Sequence, residues 1–159
     1  MRITIRDAEP DDLDPLLRLM RQLAEHEGLG SYFQLTWEVL ARCCLGRSKR
    51  FNVVVAAADA TVVGYATYMY QFSPWAGREY LFVDDVYVNE DSRGTGIGSQ
   101  LMKRIAVLAL ERDVDVRWHV ETINSPAQRF YGALGAALRD KFIAYWSQDA
   151  MRATLAKSK

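Results

Sequence analysis

The chain has few of the residues that mark a metal site, a disulfide framework or an extracellular address. Only two cysteines and two histidines occur in 159 residues. Cys43 and Cys44 are sequence neighbours, which seldom bridge, and His26 and His119 complete no metal-ligand spacing, so the expectation is a reduced, metal-free protein. Long apolar runs are also missing. The longest, at residues 53–58 and 105–110, fall far short of the roughly 20 residues of a membrane span, and no membrane partner is expected. The first seven residues alternate apolar and polar side chains, with no apolar block before a small-residue cleavage site, which predicts a cytoplasmic address. Neither sign of charge is in excess. Twenty Lys and Arg balance twenty Asp and Glu, so no global field draws the chain to nucleic acid or anionic lipid. There is no repeat, low-complexity tract or linker, and 50% hydrophobic with 25% charged residues predicts one domain over residues 1–159.

Periodicity supplies the elements. Ile3 and Ile5 alternate with polar neighbours as in a short strand. Asp11 and Asp12 then open a helix in which Leu13, Leu16, Leu17, Met20 and Leu23 recur every three or four residues, ending near Gly28. A shorter helix starts at Thr36 and stops near Gly46. Residues 51–58 and 62–70, around a turn at Asp59 and Ala60, read as an antiparallel hairpin. Residues 73–77 form the next turn, and residues 80–88 a third strand. A long helix follows, with Leu101, Ile105, Leu108 and Ala109 inward, and then a strand over 114–121. Ser125-Pro126 starts another helix, residues 142–146 form a last strand, and a short helix closes the chain. Strands cluster early and crossovers come late, giving an α+β or mixed-sheet sandwich.

Between the third strand and the long helix runs Arg93-Gly94-Thr95-Gly96-Ile97-Gly98. Glycines there let backbone N–H groups point into a turn at the positive end of a helix dipole, which suits a phosphate. Structural turns use the same residues, so the loop alone is weak evidence. It lacks the Gly-Lys-Ser/Thr ending of a P-loop and the ribose-reading acid of a dinucleotide fold, which disfavours nucleoside triphosphates and NAD.

The loop does match the pyrophosphate signature of the GNAT N-acetyltransferase superfamily, in which Gln or Arg is followed by two variable residues, Gly, one variable residue, and Gly or Ala. Arg93, Gly96 and Gly98 fill it. The chain also resembles that superfamily over residues 80–88 before the loop and residues 124–131 after it. The resemblance implies a mixed, mostly antiparallel central sheet with a splay between two central strands, flanked by helices, in one acetyltransferase domain. Acetyl-CoA is the implied cosubstrate, with no metal. Its pantetheine arm would pair with the backbone of Val86 and Val88, and its pyrophosphate with main-chain N–H groups of Gly94, Thr95, Gly96, Ile97, Gly98 and Ser99 beside Arg93. Asn124 matches a position that contacts the pantetheine region. Phe130 and Tyr131 close the third motif, and Tyr131 matches the tyrosine beside the cofactor sulfur.

Amide formation from a thioester needs a neutral amine, a donor for the developing oxyanion and a proton for the thiolate. On this resemblance, the Tyr131 phenol is expected to supply the proton and the Val86 backbone N–H to polarise the carbonyl. Because amines are mostly protonated at neutral pH, acids at the mouth recruit the cation and relay its proton. Asp84 and Asp85 are the candidates. Adjacent strand residues face opposite ways, so both reach one pocket only if the strand is bulged; otherwise one is structural. His119 reads as a solvated or hydrogen-bonded side chain rather than a base. Arg93, Lys103, Arg104 and Arg129 are candidates for the phosphate end, although such side chains are more often simply solvated.

Residues 62–68, 73–78 and 80–81 resemble the diamine acetyltransferase group, including its thialysine-acetylating branch. That likeness carries Glu27, Trp75, Asp84, Asp85 and Asp140 over as amine-recognising positions, while Trp75 equally reads as a loop anchor. Ser73 replaces an acid of the polyamine-acetylating members and Asp84 a longer glutamate. Phe142 stands near their C-terminal tryptophan. Fewer carboxylates favour a shorter acceptor, lysine-like or thialysine-like, or a diamine. The group also implies a homodimer. The alternatives are a non-catalytic acyl-CoA sensor, which has no need of Tyr131 or a mouth of acids, and an acetyltransferase acting on proteins.

Overall fold

The computed structural model describes residues 2–59 and 61–156. In chain order its elements are β1 (Ile3–Asp7), α1 (Leu13–His26), α2 (Trp37–Cys44), β2 (Asn52–Ala58), β3 (Thr61–Ser73), β4 (Arg78–Val88), α3 (Ile97–Glu111), β5 (Val116–Arg117), α4 (Ser125–Ala133) and α5 (Gln148–Ala156). They fall into two compact units, one ending at His119 and one starting at Val120. The expected turn between β2 and β3 includes Ala60, which lies outside the described residues. Among the described residues no helix is long and apolar enough to cross a membrane.

In the first unit the strands lie side by side in sequence order. β1 to β4 pair antiparallel, and β5 joins β4 in parallel. This is the mixed, mostly antiparallel α+β sheet that the sequence implied. Alternation along the strands builds two apolar layers. Val53, Val55, Val62, Tyr65 and Tyr87 pack against Leu13, Leu16 and Met20 of α1 and Leu40 of α2. Val54, Ala56, Ala66 and Val83 pack on the opposite face against Leu101, Ile105 and Ala109 of α3. Strands covered on both faces read as unbroken apolar runs, as β2 does. The entry to α1 is held by Asp12, which is buried and bound by the Arg6 guanidinium, with one N–O distance of 2.9 Å.

Two expectations fail. The strand predicted over 114–121 shrinks to Val116–Arg117, because β4 pairs with β5 only at Leu81 and Phe82 before its own course changes at Asp84–Asp85. In the second unit, residues 142–146 form no strand. That unit offers no other strand to pair with among the described residues, and β-propensity without a ladder is insufficient. Phe142, Ile143, Tyr145 and Trp146 are exposed. Within the same unit α4 is capped by Asn124, whose side-chain oxygen accepts from the Ala127 N–H at 3.1 Å.

Candidate active site

β4 carries an extra residue where the acids lie. Ala66 pairs with Val86 and Tyr68 with Val83, so Thr67 alone stands opposite both Asp84 and Asp85. This is a β-bulge, the condition on which neighbouring acids could leave strict alternation. Its consequence is visible in the packing: Val83 and Val86, three residues apart, both contribute to the layer that faces α3. Asp84 remains exposed, whereas Asp85 is half-buried. The Asp85 N–H donates to Thr67 Oγ1 at 3.0 Å, and the Thr67 hydroxyl donates back to Asp85 Oδ2 at 3.4 Å.

Asp85 lines a cleft of about 280 Å³ together with Glu27, Tyr65 and the apolar side chains of Met20, Leu23 and Phe33. Glu27 caps the C-terminal end of α1, where the helix dipole disfavours an acid, so helix stability does not account for it. Burial, followed by the negative charges of Asp84 and Glu27, pushes the Asp85 carboxyl up to about 6, against the lowering effect of the Thr67 hydrogen bond. Burial raises the Tyr65 phenol as well, and its hydroxyl has no hydrogen-bond partner among the described residues. The cleft therefore offers carboxylates on apolar walls, a surface that suits an amine on an alkyl arm.

The glycine loop leads into α3. Gly94 and Gly96 adopt φ of 76° and 83°, a left-handed conformation that only glycine takes at little cost. The first intrahelical bond of the turn runs from the Gln100 N–H to the Gly96 carbonyl, so the N–H groups of Ile97, Gly98 and Ser99 precede any partner one turn back. Arg93 braces the loop: its Nε donates to the Val88 carbonyl at 3.0 Å, and its guanidinium lies 5.4 Å from the centre of the Tyr87 ring. Thr95 Oγ1 donates to the Ser92 carbonyl at 2.6 Å.

Strand parity orients the β4 backbone. The Asn89 N–H donates to the Val63 carbonyl of β3, so Tyr87 also turns its backbone groups toward β3, and Val86 and Val88 turn theirs away. On that outward side β4 pairs with β5 only as far as Phe82. Among the described residues the Val86 N–H thus has no strand partner on that side, one residue from Asp85. The Val88 carbonyl is already taken by Arg93, leaving its N–H for a ligand. Strand edge, left-handed glycines and helix amides together fit the arm and phosphates of acetyl-CoA.

The remaining candidates stand elsewhere. Trp75 is fully exposed at the tip of the β3–β4 hairpin, outside the cleft lining. His119 is exposed, its ring edge-on to Phe82 at 5.1 Å. Asn124, Phe130, Tyr131 and Asp140 belong to the second unit, where the Phe130 and Tyr131 rings lie 5.1 Å apart and burial raises the Tyr131 phenol. Thr67 and Tyr65 were not singled out by the sequence, since both sit in a run that reads as an ordinary buried strand. The available signal was the doublet Asp84–Asp85, which calls for a polar partner across the strand.

Comparison with known proteins identifies the family. A profile of the acetyltransferase (GNAT) family matches residues 16–136. Thialysine N-epsilon-acetyltransferase of Bos taurus is 34% identical over 143 residues, covering 84% of each chain. Spermidine/spermine N(1)-acetyltransferase-like protein 1 of Homo sapiens is 29% identical over 140 residues, 83% of this chain and 20% of that protein. An integron cassette protein from the mobile metagenome of V. cholerae has a similar structure, with a TM-score of 0.77 at 26% identity and 99% coverage of both chains. With the profile spanning well over half of the sequence and the glycine loop, open strand edge and acidic cleft in place, the chain belongs to the GNAT family of acetyltransferases, acetyl-CoA-dependent enzymes that acetylate amine nitrogen.

Proposed function

We propose that the protein acetylates the primary amine of a small cationic acceptor, lysine-like, thialysine-like or a diamine. The observation that carries this reading is the cleft shared by Glu27 and Asp85, next in sequence to the outward-facing Val86 N–H. Likeness to the thialysine N-epsilon-acetyltransferases supports it. Acetyl-CoA supplies an acetyl group activated as a thioester. The amides of Ile97, Gly98 and Ser99 hold its phosphates, and the Val86 N–H donates to the carbonyl oxygen as negative charge develops there. Glu27 and Asp85 draw in the ammonium and take up its proton, and Asp84 adds negative potential at the mouth. As the new C–N bond forms and the C–S bond breaks, Tyr131, a neutral phenol at physiological pH, gives its proton to the departing thiolate, and the second proton that the nitrogen sheds on becoming an amide returns to the phenolate through water.

Two free thiols, Cys43 and Cys44, support a reducing cytoplasmic setting. The exposed Phe142, Ile143, Tyr145 and Trp146 support pairing into a homodimer. The deciding experiment measures thiol release from acetyl-CoA with amino acids, diamines, polyamines and a lysine peptide as acceptors. Short cationic amines should give the highest kcat/KM, and Tyr131→Phe should lower kcat by about 100-fold while leaving the KM for acetyl-CoA unchanged. Thiol release that ignores the amine offered overturns the reading.

A further inference from the structure

We propose that Thr67 is a positioning residue for the reaction, clamping Asp85 in the orientation from which its carboxylate takes the proton of the incoming ammonium. This rests on the amine-binding reading of the cleft given above. Thr67 is 4% exposed, a buried hydroxyl in the middle of a strand whose neighbours Ala66 and Tyr68 are also buried. A valine has the same shape, a better strand propensity and no polar group to satisfy there. The hydroxyl is instead used twice on one residue, accepting from the Asp85 N–H and donating to Asp85 Oδ2.

That double contact closes the bulge. With two residues of β4 facing one of β3, the ladder does not hold Asp85 in place, and an unrestrained carboxylate beside apolar walls would turn toward water. The Thr67 hydroxyl holds Oδ2 and leaves Oδ1 for the acceptor. The titratable groups facing Asp85 are Asp84 on β4, Glu27 at the end of α1, Tyr65 on β3 and Tyr32 on the cleft rim. No lysine, arginine or histidine lines the cleft among the described residues, so the ammonium is the missing counter-ion. In the transfer an N–H bond of the ammonium breaks and an O–H bond forms on Asp85. The nitrogen keeps the electron pair with which it attacks, and the proton passes from Asp85 to water after acetylation. A hydrogen bond donated by Thr67 stabilises the charged carboxylate, so losing it raises the pH at which the base becomes active.

The test compares wild type with Thr67→Val, Thr67→Ser and Asp85→Asn, by kcat/KM for one alkyl amine from pH 5 to 9. Thr67→Val should move the acidic limb upward by about 0.5–1 pH unit and lower kcat about tenfold with the acetyl-CoA KM unchanged, while Thr67→Ser restores both. The Asp85 carboxyl, followed by 13C NMR in the ligand-free proteins, should titrate higher in Thr67→Val by the same interval. Wild-type limb and kcat in Thr67→Val, with Asp85→Asn inactive, overturn the clamp and leave the cleft reading standing. Full activity in Asp85→Asn overturns the cleft reading itself.

Discussion

Asp85 holds a charge where water is scarce, because the extra residue in β4 turns it into the cleft while its neighbour Asp84 stays in solvent. The cost of that placement appears as a pH dependence of stability. An unfolded chain titrates this carboxyl at about 3.9, whereas the folded protein titrates it at about 6. Below about pH 4 both states are protonated and the folded state keeps its full advantage. As the pH rises through 6, the unfolded chain has already released its proton, and the ligand-free protein loses about 2–3 kcal/mol. Asp85→Asn removes this slope. Urea denaturation at pH 4 and pH 8 should find the variant close to wild type at the lower value and about 2 kcal/mol more stable at the higher one. A wild-type slope in the variant would mean that Asp85 is solvated in solution.

At the scale of elements, the phosphate-binding role proposed here belongs to the junction of β4 and α3 rather than to any side chain. Gly94 and Gly96 turn the chain through left-handed conformations, and α3 then presents its first amides. A Cβ at Gly96 would meet no atom within 4 Å, so the penalty for replacing this glycine comes from its φ and from what the new side chain does to an approaching phosphate. Gly96→Val should cost about 2 kcal/mol of stability, since a β-branched residue at positive φ is strained. It should also weaken acetyl-CoA binding by tenfold or more, or about 1.4 kcal/mol. Calorimetric titration of the folded variant measures the affinity, and an unchanged Kd would exclude the loop from cofactor binding.

On the scale of the whole molecule, the first unit contains the sheet, the cleft and the glycine loop, and the second contains Asn124, Tyr131 and the exposed residues 142–146. An apolar stretch in solvent is costly to a monomer, and a second copy is the partner proposed for it. Sedimentation at micromolar concentration should show a dimer, and Phe142→Asp with Trp146→Asp should shift it to monomer. A wild-type monomer would end the dimer proposal.

Much of the first unit was legible in the sequence, because alternation and three-to-four spacing are local records of which face is buried. α1, α2, α3 and the hairpin of β2 and β3 follow from them, and the glycines from Arg93 to Gly98 marked the turn into α3, although the loop became specific only together with the motifs on either side of it. Adjacent acids at 84 and 85 were legible as a pair but not as individuals. Only pairing with β3 decided between them, because a bulge is a relation between two strands: Thr67 lies 18 residues from Asp85 along the chain and 3.0 Å from it in space. The limits of β5 and the absence of a strand at 142–146 were decided in the same way, since a strand exists only where another supplies its hydrogen bonds. Periodicity and the glycine motif therefore determined the α+β class and the turn into α3, while tertiary pairing decided which carboxylate enters the cleft and which backbone N–H faces outward.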